Sequence, residues 1–419
     1  MWKRISTVCL VIISIVLTDS SICAGREWRR KALQPAFHTN VPYLAPELDV
    51  KPVIPRWPKR LVEMYDTISI IFIGDVMQHG YQIRSAHIKG MDKDNPDSYN
   101  YSHTFKYLKE RFSEADLTVA NMEFPVGVPP FTGYPRFSAP ESIVTEAIES
   151  GIDLFQIANN HILDKGMKGL ERTLSIYDSL GVHYTGAYRC DSLEKLHNPK
   201  IIEIGKARIA FINFTYGTNG FKVPEPYVVN YMDSTSVKQA IGRAKERRAD
   251  IIIALPHWGN EYQIYPSKEQ KEWAEMLFKN GVDIIIGTHP HVPQSAELYR
   301  NKTLNPRRYG AIDKMVFYSL GNYISNQSIP DYTQLGLLVK VNIIRNNLSE
   351  ELSLGMPEYE YLWCFKKGEF ESDYTVVPVE EFISNPHNRE KMNDKSQYDR
   401  MEATYKFIMN KNLVKELYP

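Results

Sequence analysis

Ile-Ile-Ile-Ala-Leu-Pro-His-Trp-Gly at residues 251–259 and Ile-Ile-Ile-Gly-Thr-His-Pro-His at residues 284–291 decide the fold of this chain. Each opens with an apolar run of strand length and closes on polar residues at its carboxyl end. A run without polar alternation suits a strand covered on both faces. Runs of the same kind occupy 68–73, 117–120, 154–158, 209–214, 315–320 and 335–344. Helical patterns lie between them, near 102–113, 141–150, 167–180, 234–247 and 268–280. This alternation predicts an α/β fold with parallel pairing early in the chain. Strands crowd together after about residue 282, which predicts a mixed sheet or a second sheet.

Ligands of open α/β sheets bind outside the carboxyl ends of the strands, and polar residues collect there in this sequence. Gly74 allows a tight turn off the first strand, and Asp75 follows it. Asn121 and Glu123 stand two apart after the second, on one face of an extended backbone. Ala-Asn-Asn-His brings Asn159, Asn160 and His161 to the third exit. His257 marks the fourth. His289 and His291 form a His-x-His pair at the fifth, which in extended backbone turns both rings the same way. Imidazole suits zinc, iron and similar ions. Asn322, in Ser-Leu-Gly-Asn at 319–322, closes the series. Taken singly, several of these have plainer readings: a helix cap for Asp75, a solvated loop carboxylate for Glu123, a turn for Asn322.

The order Gly-Asp, Asn-x-Glu, Asn-Asn-His, His-Trp-Gly, His-x-His and Ser-Leu-Gly-Asn resembles the CapA family of poly-γ-glutamate capsule biosynthesis proteins, itself similar to the calcineurin-like metallophosphatases. The resemblance covers roughly 68–340. It implies a metallophosphatase-like α/β/β/α sandwich with mixed sheets. It also implies one or two divalent ions (Mn, Zn, Fe or Mg) held by Asp75, Glu123, Asn160, His257, His289 and His291. His161 becomes the catalytic proton donor, with Asn121, Asn159 and Asn322 toward substrate. The implied activity is metal-dependent, phosphoesterase-like hydrolysis in capsule or cell-envelope polymer biosynthesis or export. The rival reading is a non-catalytic protein that binds an anionic polymer. One departure stands out: Met77 occupies the place where the phosphatases carry a histidine, and a thioether is a poor ligand for such ions. His79 is the candidate to compensate.

The ends of the chain differ from its middle. Residues 1–24 combine Lys3 and Arg4, a short apolar run and a small-residue exit, the layout of a secretory signal peptide. Export to the periplasm or cell surface is therefore expected, with cleavage near Ala24, lipidation of Cys23 or an uncleaved anchor as open alternatives. Residues 25–67 read as a proline-rich arm. Residues 68–345 form the main domain, and 346–419 read as an appended C-terminal extension. In that tail Pro378 points to an edge strand, and an amphipathic helix is expected over about 396–416. Cys190 and Cys364 leave one disulfide open. Fifty basic against fifty acidic residues give no reason to expect nucleic acid as a partner. The expected partners are an anionic polymer or phosphoester substrate and membrane-bound polymer synthesis machinery.

Overall fold

The computed structural model describes residues 65–300, 312–411 and the backbone of 414–417. The expected signal peptide, Cys23, and the arm up to residue 64 lie outside the described residues.

Two sheets face each other. The first runs in the spatial order Thr375–Pro378, Glu358–Phe365, Leu335–Asn346, Tyr65–Val76, Leu117–Met122, Leu154–Gln156, His183–Thr185. Asn322–Ile324 joins it beside Tyr65–Val76, and Leu352–Leu354 beside Leu335–Asn346. The second runs Val414–Leu417, Ala296–Tyr299, Lys314–Phe317, Ile284–Ile286, Ile251–His257, Ala207–Thr215, Lys200–Ile204. Pairing is parallel among the four strands from Tyr65–Val76 to His183–Thr185, and antiparallel among Leu335–Asn346, Glu358–Phe365 and Thr375–Pro378. The first sheet is therefore mixed, and so is the second.

The unbroken apolar runs have a simple cause. Successive side chains of a strand point to opposite faces. Ile68, Ile70 and Phe72 meet Ile209, Phe211, Ile251, Ile253 and Leu255 in one cluster between the sheets. Their neighbours Ile71 and Ile73 face outward, onto Phe112, Ile143, Val144, Leu170 and Leu174 of the helices Lys109–Glu114, Ser142–Glu149 and Gly166–Leu180. On the far side Ala210, Ile212, Ile252 and Ala254 pack on Val237, Ile241, Ala274 and Leu277 of Ser234–Glu246 and Lys268–Lys279. The layers are α/β/β/α, as expected.

The tail differs from expectation. Glu358–Phe365 and Thr375–Pro378 continue the first sheet, and Trp363, Phe365 and Val377 sit in the cluster between the sheets. The segment after 346 is thus built into the core rather than appended. Thr375–Pro378 does lie at the sheet edge. The last helix ends at Met409, and Val414–Leu417 is a strand parallel to Ala296–Tyr299. Cys190 and Cys364 are both free thiols.

Candidate metal centre

Parallel register sets the depth of the site. Asp75 stands level with Asn121 on one side and Asn322 on the other. Gly74 makes this possible. A Cβ there would come within 1.9 Å of the Gly321 carbonyl oxygen, whose bond from the Asp75 amide is 2.9 Å. In the second sheet His257 bridges to Thr288, at the start of the loop that carries the His-x-His pair.

The six residues named as ligands converge. Asp75 accepts from Asn121 Nδ2 at 2.8 Å and lies 3.1 Å from His291 Nδ1. Glu123 Oε1 is 3.5 Å from His257 Nε2 and 3.7 Å from His291 Nε2. Asn160 Oδ1 is 2.9 Å from His257 Nε2. His289 lies beside both other rings, with centroids 4.8 Å from His257 and 5.8 Å from His291. Two sets, Asp75–Glu123–His257 and Glu123–His289–His291, place one ligand atom each within 4.8 Å of the others.

The His-x-His pair meets by a route other than the extended one. His289 has φ +97° and His291 φ +58°. Left-handed backbone is uncommon for such residues and tends to occur at functional sites. The loop is pinned by Tyr262, whose amide donates to the Pro290 carbonyl at 2.8 Å.

Burial sets the charges. Burial and the negative charge of Asp75 push Glu123 well above the usual carboxylate range. Burial also opposes ionisation of Asp75, but the hydrogen bond and charge of His291 hold its carboxyl below its ordinary value. Burial drives His257 down to about 3 and His289 well below its ordinary value. For His291 burial is outweighed by Asp75, and its pKa rises. The donor set fits a divalent cation on two counts. Glu123 Oε1 and His289 Nδ1 are buried without a hydrogen-bond partner, which is costly for a polar group. Asp75 and Glu123 are also sealed beside the neutral imidazoles of His257 and His289, where a cation would offset the cost of burying two carboxylates.

His161 sits beside this cluster, 6% exposed. Its Nδ1 is 2.8 Å from Asp164 Oδ2, which also accepts from the Phe137 amide at 2.7 Å. Phe137 packs edge-on against the imidazole, with centroids 4.6 Å apart. The Asp164 bond leaves Nε2 for a reacting group. Asp164 escaped the sequence reading, although its spacing of three from His161 was available as a signal. Asn219, within reach of both Asn160 and His161, gave none.

Three expected roles change. Asn121, Asn159 and Asn322 were expected toward substrate, but all are buried with their amides engaged by protein. Asn121 holds Asp75, Asn159 holds the Met122 carbonyl, and Asn322 Oδ1 holds His291 Nδ1 at 3.0 Å. Met77 buries its side chain among apolar neighbours. His79 is bound to Gln82 at 3.1 Å and belongs to neither ligand set.

Fold and site together define a two-sheet α/β sandwich with a buried histidine–carboxylate centre at its strand ends. The family model described as bacterial capsule synthesis protein PGA_cap matches residues 69–327, more than half of the chain, and the chain belongs to that family. It is 27% identical over 273 residues to the capsule biosynthesis protein CapA of Bacillus anthracis, a match covering 62% of this chain and 61% of that one. It is 27% identical over 278 residues to the PGA biosynthesis protein CapA of Bacillus subtilis (strain 168), covering 64% and 66%. The matches thus span less than two thirds of those relatives' own length. Among solved structures, a phosphatase from Mycoplasma pneumoniae aligns at TM-score 0.41 and 16% identity, over 71% of this chain and 94% of that one.

Proposed function

We propose that this protein is a metal-dependent, phosphoesterase-like hydrolase acting on an anionic polymer during capsule or cell-envelope polymer biosynthesis or export. The observation that carries this is the convergence of two carboxylates and three imidazoles beside the His161–Asp164 pair. Asp75, Glu123, Asn160, His257, His289 and His291 would hold the metal. A divalent cation there supplies Lewis acidity and lowers the pKa of bound water to about 7. Asp164 fixes the His161 ring, so that Nε2 presents a proton to the leaving oxygen. Asn121 keeps Asp75 in place. Two cations, Arg136 and Lys165, stand next in sequence to Phe137 and Asp164, the partners of His161, and would suit an anionic substrate. Export through residues 1–24, and association with membrane-bound synthesis machinery, belong to the same proposal.

A second reading, polymer binding without turnover, is favoured by Met77, which offers no donor at the place of the phosphatase histidine. One experiment separates them. Metal content is measured by elemental analysis, and hydrolysis of diphenyl phosphate, whose phenolate leaves poorly without a proton, is followed with Mn²⁺ or Zn²⁺. We expect His161→Ala to keep its metal and lose about 10²–10⁴-fold in kcat, and His289→Ala to lose metal. Bound metal with no turnover of phosphomonoesters or diesters would favour the binding protein. Absence of metal in the wild type under every loading condition would remove the hydrolase and leave only binding without a cation.

A further inference from the structure

The family match ends at residue 327, yet side chains beyond it reach toward the centre. The loop Ser325, Asn326 and Gln327 follows the short strand Asn322–Ile324. Three residues of the C-terminal segment grip it. Lys366, 8% exposed, turns its ammonium onto the main-chain carbonyls of Asn326 and Gln327. The Tyr374 hydroxyl donates to Asn326 Oδ1 at 2.6 Å. Cys364 Sγ lies 3.7 Å from the Ser325 carbonyl.

From the loop the contacts continue inward. Gln327 Oε1 accepts from Asn322 Nδ2 at 2.9 Å, and Gln327 Nε2 donates to the Tyr262 hydroxyl at 3.3 Å. The Asn326 amide meets His79 Nδ1 at 3.3 Å. Asn322 and Tyr262 then bear on one ring. Asn322 Oδ1 lies 3.0 Å from His291 Nδ1, and the Tyr262 ring faces His291 with centroids 6.3 Å apart. Partners behind a metal-binding imidazole fix its tautomer and orientation, and losing one typically weakens metal binding about 10–100-fold. A buried ammonium is expensive unless its donors are satisfied, so Lys366 and the loop hold each other in a single arrangement.

We propose that Lys366 and Tyr374 are positioning residues for His291, acting through the loop Ser325–Gln327 on Asn322 and Tyr262. This rests on the reading of the cluster as a metal centre. Lys366→Met and Tyr374→Phe are compared with the full-length wild type by three measurements: thermal unfolding without metal, Mn²⁺ titration calorimetry, and the visible absorption of the Co²⁺-loaded protein. The expected result is about tenfold weaker Mn²⁺ binding for Lys366→Met, a smaller loss for Tyr374→Phe, and an altered Co²⁺ spectrum in both. A merely structural role would lower the melting temperature and leave spectrum and affinity alone, which would overturn the proposal. Should Lys366→Met not fold, Tyr374→Phe, which removes one hydroxyl, decides alone. A wild type that takes up neither Mn²⁺ nor Co²⁺ overturns the metal centre and this inference together. A wild type that binds with unaffected variants overturns this inference only.

Discussion

His257 and His289 stand ring to ring, and burial keeps both neutral. Neutral imidazole is the form that binds metal, so these two give up no proton when a cation enters. His291 and Glu123 differ. Asp75 raises the pKa of His291, while burial and Asp75 raise that of Glu123. Both hold their protons more tightly than the free side chains do, and a bound cation would have to displace them. Mn²⁺ affinity should therefore rise with pH until those protons are gone. Titration calorimetry in buffers of different ionisation enthalpy should record net proton release on Mn²⁺ binding; no release would refute the assignment. Asp164 makes a separate prediction. Asp164→Asn should keep the metal but lower kcat about 10²-fold or more, because the ring loses its charged anchor. The candidate ligands were legible in the sequence because each follows an apolar strand, and the carboxyl-end rule needs no more than that. The tasks of Asn121, Asn159 and Asn322 were not legible, because an amide's task depends on which partner folding brings to it. Asn121 meets Asp75, 46 residues away, and Asn322 meets His291, 31 away.

At the scale of the element, runs buried on both faces announce themselves. Ile284–Ile286 was predicted at its observed bounds, and the helices Ser142–Glu149 and Ser234–Glu246 nearly so. The short strands His183–Thr185 and Asn322–Ile324 carry too few residues to show a period. Lys200–Ile204 and Glu358–Phe365 mix polar with apolar residues, and their place comes from antiparallel pairing with a strand the sequence does show. Where the first strand runs against Asn322–Ile324, backbone approaches backbone so closely that only hydrogen fits on Gly74. Gly74→Ala should therefore cost about 1–3 kcal/mol, as overpacking does. It should also displace Asp75 and lower Mn²⁺ occupancy. Urea unfolding and elemental analysis check the two effects, and a variant of wild-type stability would show that the strands can part at little cost.

On the scale of the whole molecule, the family match and the folding unit have different limits. The match stops at 327, but Trp363, Phe365, Val377, Phe382, Met401 and Ile408 all lie in the cluster between the sheets. Hiding a large apolar side chain from water is worth about 1.5–3 kcal/mol. Six of them together rival the roughly 5–15 kcal/mol of net stability that a domain possesses. Removing them would also uncover Leu335, Leu337 and Val339 on the inner face of the neighbouring strand. A chain ending at residue 346 should therefore show no cooperative unfolding transition and should aggregate. In the intact chain Trp363→Ala should cost about 3–5 kcal/mol, read from urea unfolding. Cooperative melting of the truncated chain would mean that the remaining layers close without the tail.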